Sequence, residues 1–385
     1  MADLNGDGNP DIVTANGGCR TVSILLGTGT GTFVARRDFP AEQFIYGAAV
    51  GDFNGDGNLD VVTSNAFPAA SVLLGNGKGS FGPFTDYSAG EQPLRVAVGD
   101  FNGDGKLDLA VGNGCSGGGL CDGPGAVDIL LGNGDGSFQA PVEYDGEYDS
   151  DSVAVGDFNG DGQLDVALLN GCANNGCNGG GTVSIFLGNG NGTLQSPMNF
   201  GVGDSPVSLA VADFNGDGHA DLAVAGPGGV NILLGNGNGT FQPYVSYPTN
   251  GAPSGLTVAD FNLDGKMDIA VCSRASDRVS VLLGNGDGTF QPYQDFGAGS
   301  RPTSITSGDF NGDGKPDLAV TTESSVSVLT GNGDGTFGPY RTYPTGLSVI
   351  ALVGDFNGDH KLDIVTGNGQ STISVLLNTG ITFAR

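Results

Sequence analysis

The chain has 385 residues, 72 of them Gly, with 42 acidic and 14 basic residues, a net charge of −28, six Cys, two His and no Trp. So deep a deficit of Lys and Arg excludes nucleic-acid binding by phosphate neutralisation. No apolar run approaches the ~18 residues of a membrane span, and no basic-then-apolar leader opens the sequence, as expected either of a mature or trimmed chain or of a signal lying outside this sequence. At 38% apolar the chain can bury a core, but single cores stop growing near 250–300 residues, so a repetitive architecture is expected.

Taken in chain order, the string Asp-x-Asn-x-Asp-Gly-x-x-Asp begins at Asp3, Asp52, Asp100, Asp157, Asp213, Asp260 and Asp309, and at Asp355 with one change. The spacings are 49, 48, 57, 56, 47, 49 and 46 residues, a period that belongs to propellers and solenoids. In each copy, positions 1, 3, 5 and 9 offer side-chain oxygens and position 7 a main-chain carbonyl. Unit 1 (1–46) supplies Asp3, Asn5, Asp7 and Asp11 with the carbonyl of Asn9. Unit 2 (47–94) supplies Asp52, Asn54, Asp56 and Asp60 with Asn58, and unit 3 (95–151) supplies Asp100, Asn102, Asp104 and Asp108 with Lys106. Unit 4 (152–207) supplies Asp157, Asn159, Asp161 and Asp165 with Gln163; unit 5 (208–254) supplies Asp213, Asn215, Asp217 and Asp221 with His219. Unit 6 (255–303) supplies Asp260, Asn262, Asp264 and Asp268 with Lys266. Unit 7 (304–349) supplies Asp309, Asn311, Asp313 and Asp317 with Lys315, and unit 8 (350–385) supplies Asp355, Asn357, Asp359 and Asp363 with Lys361.

A second string, Gly-Asn-Gly-x-Gly-Thr/Ser-Phe/Leu, follows at 75–81, 132–138, 188–194, 235–241, 284–290 and 331–337. Four short strands fit between these landmarks. Small alternating residues precede each acidic loop (Leu209-Ala210-Val211-Ala212). A second run follows it, with Leu107, Leu109 and Val111 on one face. A third enters the glycine turn (Val279 to Leu283) and a fourth leaves it (Phe290 to Tyr293). No segment has a 3.6-residue apolar period. The expected fold is all-β: a propeller of four-stranded antiparallel blades in one domain, eight in number with the first incomplete, or alternatively seven. The small first strand suits the crowded position nearest the axis. The missing first strand of unit 1 suggests an inner edge that another chain fills by strand addition.

Oxygens at positions 1, 3 and 5 of a tight turn converge, the Gly at position 6 permits φ > 0, and such a flexible ring of hard ligands suits Ca²⁺ rather than Mg²⁺. The eight loops hold 24 of the 42 acidic residues, leaving 14 basic against 18 acidic elsewhere. Up to eight bound Ca²⁺ ions would bring −28 to −12. An EF-hand shares the opening of the motif but needs flanking helices and a Glu at position 12, where this chain has Thr63 and Val111. An ordinary Asx-rich turn explains one such motif and not eight in register. Leu263 stands at position 4 of loop 6 in place of Gly, a mild departure, and His360 takes the place of the permissive Gly in loop 8.

These loops, strands and spacings resemble the FG-GAP or VCBS repeat family, the propeller repeats of integrin α-subunit heads and of many secreted bacterial proteins. The resemblance implies that each loop joins the first two strands of a blade, that its Asp, Asn, Asp and Asp are calcium ligands, and that the calcium is mainly structural. It does not choose among adhesion heads, lectin-like proteins and polysaccharide-degrading enzymes.

The glycine string opens no helix, so it reads as a hairpin turn and not a phosphate cradle. Cys115 with Cys121, and Cys172 with Cys177, fall in long loops and read as local disulfides of an oxidising compartment; zinc lacks nearby His. Cys19 and Cys272 are expected to be unpaired, or one of them bonded to another chain. Both His residues lie in acidic loops, and no nucleophile–base pair is evident, so catalysis is not expected. Tyr244, Tyr247, Tyr293, Tyr340 and Tyr343 recur in the fourth strand, where packing explains them first. The expected function is that of an extracellular or cell-surface, calcium-stabilised adhesion, structural or self-assembling module with a protein or carbohydrate partner. A lectin-like propeller is the first alternative, and a polysaccharide lyase or hydrolase the second.

Overall fold

The computed structural model describes residues 45–65, 69–76, 81–115, 124–173, 180–311, 313–322, 325–344 and 348–354, and the terminal strands at 12–16, 21–25, 37–40, 363–368, 372–378 and 383–384; side chains are described only between 49 and 343. Among these residues there is no helix, and the strands form eight antiparallel sheets, one for each repeat. The first sheet has three strands (Ile12–Asn16, Thr21–Leu25 and Arg37–Pro40). Six four-stranded sheets, called blades 2 to 7, follow it. Blade 2 runs Ile45–Gly51, Asp60–Asn65, Ala69–Leu73, Thr85–Ser88, and blade 3 runs Glu91–Gly99, Asp108–Cys115, Ala126–Leu130, Val142–Asp145. Blade 4 runs Tyr148–Gly156, Asp165–Cys172, Gly181–Phe186, Met198–Gly203, and blade 5 runs Ser208–Ala212, Asp221–Gly226, Gly229–Leu233, Val245–Tyr247. Blade 6 runs Pro253–Ala259, Asp268–Ser273, Arg278–Leu282, Gln294–Gly297, and blade 7 runs Ser304–Gly308, Asp317–Thr321, Ser325–Leu329, Arg341–Pro344. The last sheet runs Ser348–Gly354, Asp363–Asn368, Thr372–Asn378, Phe383–Ala384. Within each blade the strands pair in sequence order, so every connection is a hairpin.

First strands of successive blades lie side by side, and Ile12–Asn16 lies against both Ile45–Gly51 and Asp363–Asn368, where the two ends of the chain meet. Small residues in the first strand have a packing reason. The tip of Leu164 in blade 4 occupies the space that a side chain on Gly99 of blade 3 would need.

The second strand is buried on both faces, so its period-two alternation is divided between two neighbours. Leu109 and Val111 join a core with Val62 and Val72 of blade 2, whereas Ala110 faces Val166 and Leu168 of blade 4. The hydrophobic core is therefore a series of slabs between blades. Each slab is closed by aromatic rings: Phe138 of blade 3 meets Phe53 and Tyr87 of blade 2 edge to face at centroid distances of 5.6 and 5.4 Å.

Two expectations shift. The residues directly after the glycine turn do not begin the fourth strand. Phe290 makes an isolated bridge to Gly284, and the strand proper starts at Gln294. Pro292 between them has no N–H to give to a ladder. Of the recurrent tyrosines, Tyr247 packs on Phe290 at 5.2 Å, but Tyr244, Tyr293 and Tyr340 stand exposed on consecutive blades.

Candidate metal centres

The acidic loops of blades 2 to 7 join the first strand to the second, and they share one hydrogen-bond pattern. In blade 4, Asp157 Oδ1 accepts the N–H of Gly160 at 2.7 Å and Oδ2 accepts that of Gly162 at 2.9 Å. Asn159 Oδ1 accepts the N–H of Asp161 at 2.8 Å, and Asp161 Oδ1 accepts that of Gln163 at 2.8 Å. Asp213, Asn215 and Asp217 repeat this pattern in blade 5. Asp52, Asn54 and Asp56 do so in blade 2, and Asp100, Asn102 and Asp104 in blade 3. Asp260, Asn262 and Asp264, and Asp309, Asn311 and Asp313, follow with the same position-3 and position-5 acceptors. These nested Asx turns wind the chain around its own side-chain oxygens.

Both glycines of the loop need positive φ, 76° at Gly160 and 80° at Gly162. Reasoning from position 6 alone misses position 4. Leu263 is therefore more than a mild departure: it holds φ 60° with its side chain 53% exposed, a backbone conformation costly for a residue with a Cβ.

Position 9 behaves differently from the rest. Asp60, Asp108, Asp165, Asp221, Asp268 and Asp317 are all fully buried. Each spends one carboxylate oxygen on the N–H of the loop's position-2 Phe and the other on the first Gly of the glycine turn. For Asp108 these are Phe101 at 2.9 Å and Gly132 at 2.7 Å. Burial pushes these carboxyls above their usual range. The backbone hydrogen bonds pull them down, and the charges at positions 5 and 1 push them up again, to about 6 at Asp268 and Asp317. The three carboxylates of a loop thus share one electrostatic field, with position 9 as its buried floor.

Position 5 finds side-chain partners of two kinds. In loops 2, 4 and 5 the position-3 amide donates to it, as Asn159 Nδ2 does to Asp161 Oδ2 at 2.9 Å. In loops 3, 6 and 7 the position-7 lysine lies on it, at 3.3 Å for Lys106–Asp104, 3.4 Å for Lys266–Asp264 and 3.5 Å for Lys315–Asp313.

The donor chemistry fits a hard cation: a half-buried carboxylate at position 1, an exposed one at position 5, an amide oxygen and main-chain oxygens in one short loop. Among the described residues no three carboxylate, His or Cys side chains form a cage by themselves. Asp3, Asn5, Asp7, Asn9 and Asp11 of loop 1 lie outside the described residues, as do Asp355, Asn357, Asp359, His360 and Lys361 of loop 8. Asp363 is placed by its backbone at the start of a strand.

The glycine string is a turn, and one that joins blades. Gly239 donates its N–H to the Phe158 carbonyl of the preceding blade at 3.0 Å, and Gly136 does the same to Phe53. Its variable fourth residue caps the turn, Asp135 accepting the Ser137 N–H at 3.0 Å. Cys272 is unpaired, the first of the two expected states: a buried free thiol beside Ser254, held up at about 11 by burial. Cys172 is buried and is not a free thiol, whereas Cys19, Cys121, Cys177 and the Cys115 side chain lie outside the described residues.

The model of the FG-GAP-like repeat matches residues 3–63, 64–111, 118–168, 172–224, 213–271, 262–320 and 309–366, and that of the FG-GAP repeat matches 93–130. No curated protein matches the chain. Among solved structures, it is similar to an Agrocybe aegerita lectin that recognises non-reducing terminal N-acetylglucosamine, at 23% identity and TM-score 0.60, over 94% of this chain and 97% of the lectin. Sqt1 of Saccharomyces cerevisiae aligns at 11% identity and TM-score 0.66, over 95% and 92% of the two chains. The V. cholerae biofilm matrix protein Bap1 aligns at 12% identity and TM-score 0.55, over 94% and 84%. At these identities the likeness is one of fold.

Proposed function

Because the chain belongs to the family of FG-GAP-like repeat proteins, we propose that it is an extracellular or cell-surface β-propeller, stabilised by calcium, that serves as an adhesion or structural module. The observation that carries this reading is the repetition of one oxygen set, at positions 1, 3 and 5, in all six described loops. Those residues, with the position-9 carboxylate and the carbonyl of position 7, would hold the ion. A bound Ca²⁺ would supply positive charge where the half-buried position 1, the exposed position 5 and the buried position 9 repel one another. The chain's own part is to fix the loop through its two glycines and to hang it on the glycine turn.

Extracellular calcium and an oxidising medium, with local Cys115–Cys121 and Cys172–Cys177 bonds, belong to the same reading. No helix among the described residues is long and apolar enough to cross a membrane. The partner is a protein or a second copy of the chain, and the reading includes no catalytic step. The test is thermal unfolding with calcium and with chelator. A fall of many degrees without calcium supports the reading; superimposable melting curves overturn it. Mass and particle shape in calcium separate a monomeric adhesive head from a self-assembling one.

One observation favours a carbohydrate partner as the second reading. Tyr244, Tyr293 and Tyr340 each follow the turn's Phe by three residues, and they are 41%, 37% and 43% exposed on blades 5 to 7. Exposed rings at blade spacing offer stacking faces for sugars, and one solved neighbour is a lectin. A glycan array with the wild type and Tyr293→Ala decides it: binding lost in the variant supports a lectin, and no binding by either removes that reading.

A further inference from the structure

One register position separates blade 3 from the other described blades. In the third strand, the residue facing the third residue after position 9 is Ser71, Ser184, Ser280 or Ser327 in blades 2, 4, 6 and 7, and Asn231 in blade 5. In blade 3 it is Asp128, facing Val111. The neighbouring fourth strand sets a polar residue opposite each of them, and elsewhere the pair contains a donor. Ser71 donates to Asp86 at 2.5 Å, Ser280 to Asp295 at 2.7 Å, and Ser246 to Asn231 at 2.6 Å. Opposite Asp128 stands Glu143, so this pair is two carboxylates. Like charges directly across a sheet destabilise it.

The pair is also short of donors on its inner side. Asn113 gives one amide hydrogen to Asp128 Oδ2 at 3.1 Å. Asn113 Oδ1 and Asp128 Oδ1 are then buried acceptors without a hydrogen-bond partner, in residues only 0% and 1% exposed. A buried acceptor left unmatched is costly, and the two together present unmatched oxygens to a guest that can meet both. Gly90, at φ 72°, closes the opposite wall, and a side chain there would collide with Asn113 and Asp128. Burial first and the Glu143 charge second push the Asp128 carboxyl up to about 6, and Asn113 pulls it down. Glu143 is itself raised by burial and by Asp145 and Glu91, and it stands exposed at the rim.

We propose that blade 3 holds a hard cation, Ca²⁺ in a calcium-containing medium, between Asp128 Oδ1 and Asn113 Oδ1, with Glu143 as the ligand at the entrance. The site lies five residues along the second strand from Asp108. That is roughly 16 Å from the acidic loop, toward the opposite end of the blade, so it does not depend on calcium in the loops. Carboxylate and amide oxygens select a hard ion over a thiophilic one.

The experiment compares the whole chain with Asp128→Ser. This change restores the residue that four other blades carry at the same register, so folding should be kept. Native mass spectrometry in equal free calcium is expected to count one ion fewer in the variant. That difference of one survives even if the loops bind nothing, which separates failure of this site from failure of the loop reading. Stability near neutral pH supplies the second measurement. Without calcium the variant should melt above the wild type, and with calcium below it. An unchanged ion count overturns the proposal. So does a variant that is more stable by the same margin with and without calcium, the signature of a buried acid sharing a proton with Glu143.

Discussion

Asp165 and Gly188 are 23 residues apart and joined at 2.7 Å, the carboxylate of one accepting the N–H of the other. Through this contact the acidic loop and the glycine turn of a blade form a single unit. The other oxygen of Asp165 takes the N–H of Phe158. The Phe158 carbonyl accepts Gly239 of the next blade, and its ring meets Phe241 there at 6.0 Å. Loop, turn and neighbouring blade are thus coupled through three consecutive contacts.

Asp165→Asn replaces one of two acceptor oxygens with a donor that faces an N–H. The loss should be about 1–3 kcal/mol, the cost of a buried unmatched donor. Denaturant unfolding is expected to show it with and without calcium. A loss confined to calcium-loaded protein would mean that position 9 acts only as a ligand.

Asp161→Ala removes an exposed position-5 carboxylate and leaves the buried pin in place. In calcium at ~100-fold over Kd, loss of one independent site costs about 2.7 kcal/mol. Calorimetry should find one calcium site fewer, and the metal-free stability should barely change. An unaltered site count would remove Asp161 from the ligand set.

Leu263→Gly should stabilise blade 6. Leu263 holds φ 60°. Relief of roughly 1–2 kcal/mol of left-handed strain outweighs the roughly 0.5–1 kcal/mol that glycine loses in unfolded-chain entropy. A rise of a few tenths to about 1 kcal/mol in urea melts is the expected outcome, and a fall would show that the exposed leucine has a packing role.

Asp268 and Asp317 are raised to about 6 from 3.8. The folded chain keeps these protons to a higher pH than the unfolded chain does, so their stabilising effect is full below about 3.8 and is lost as pH rises through about 6. Decalcified protein should therefore weaken across that interval, and a calcium-loaded sample should weaken less. Stability of the decalcified chain that rises over the same interval would contradict the burial of these carboxyls.

Period, strand order and loop positions were legible because each is short-range. A nine-residue motif with two glycines can only turn tightly around its own oxygens, and alternation at period two places a strand whatever lies beside it. The same alternation puts Leu109 and Val111 on one face whatever their neighbours are. What only the tertiary structure decided involves residues brought together from different strands or blades. Position 9 reads as a ligand alone, and only the fold shows that Asp165 also pins Gly188. Leu263 looks like a small change until its backbone angle is seen. Tyr293 looks like core until Pro292 delays its strand and leaves it exposed. Asp128 is one acid among 42 until the sheet sets Glu143 opposite and leaves Asp128 Oδ1 and Asn113 Oδ1 with no donor to accept from. Local patterns declare which conformations the chain prefers, but burial and pairing belong to contacts that chain order does not contain.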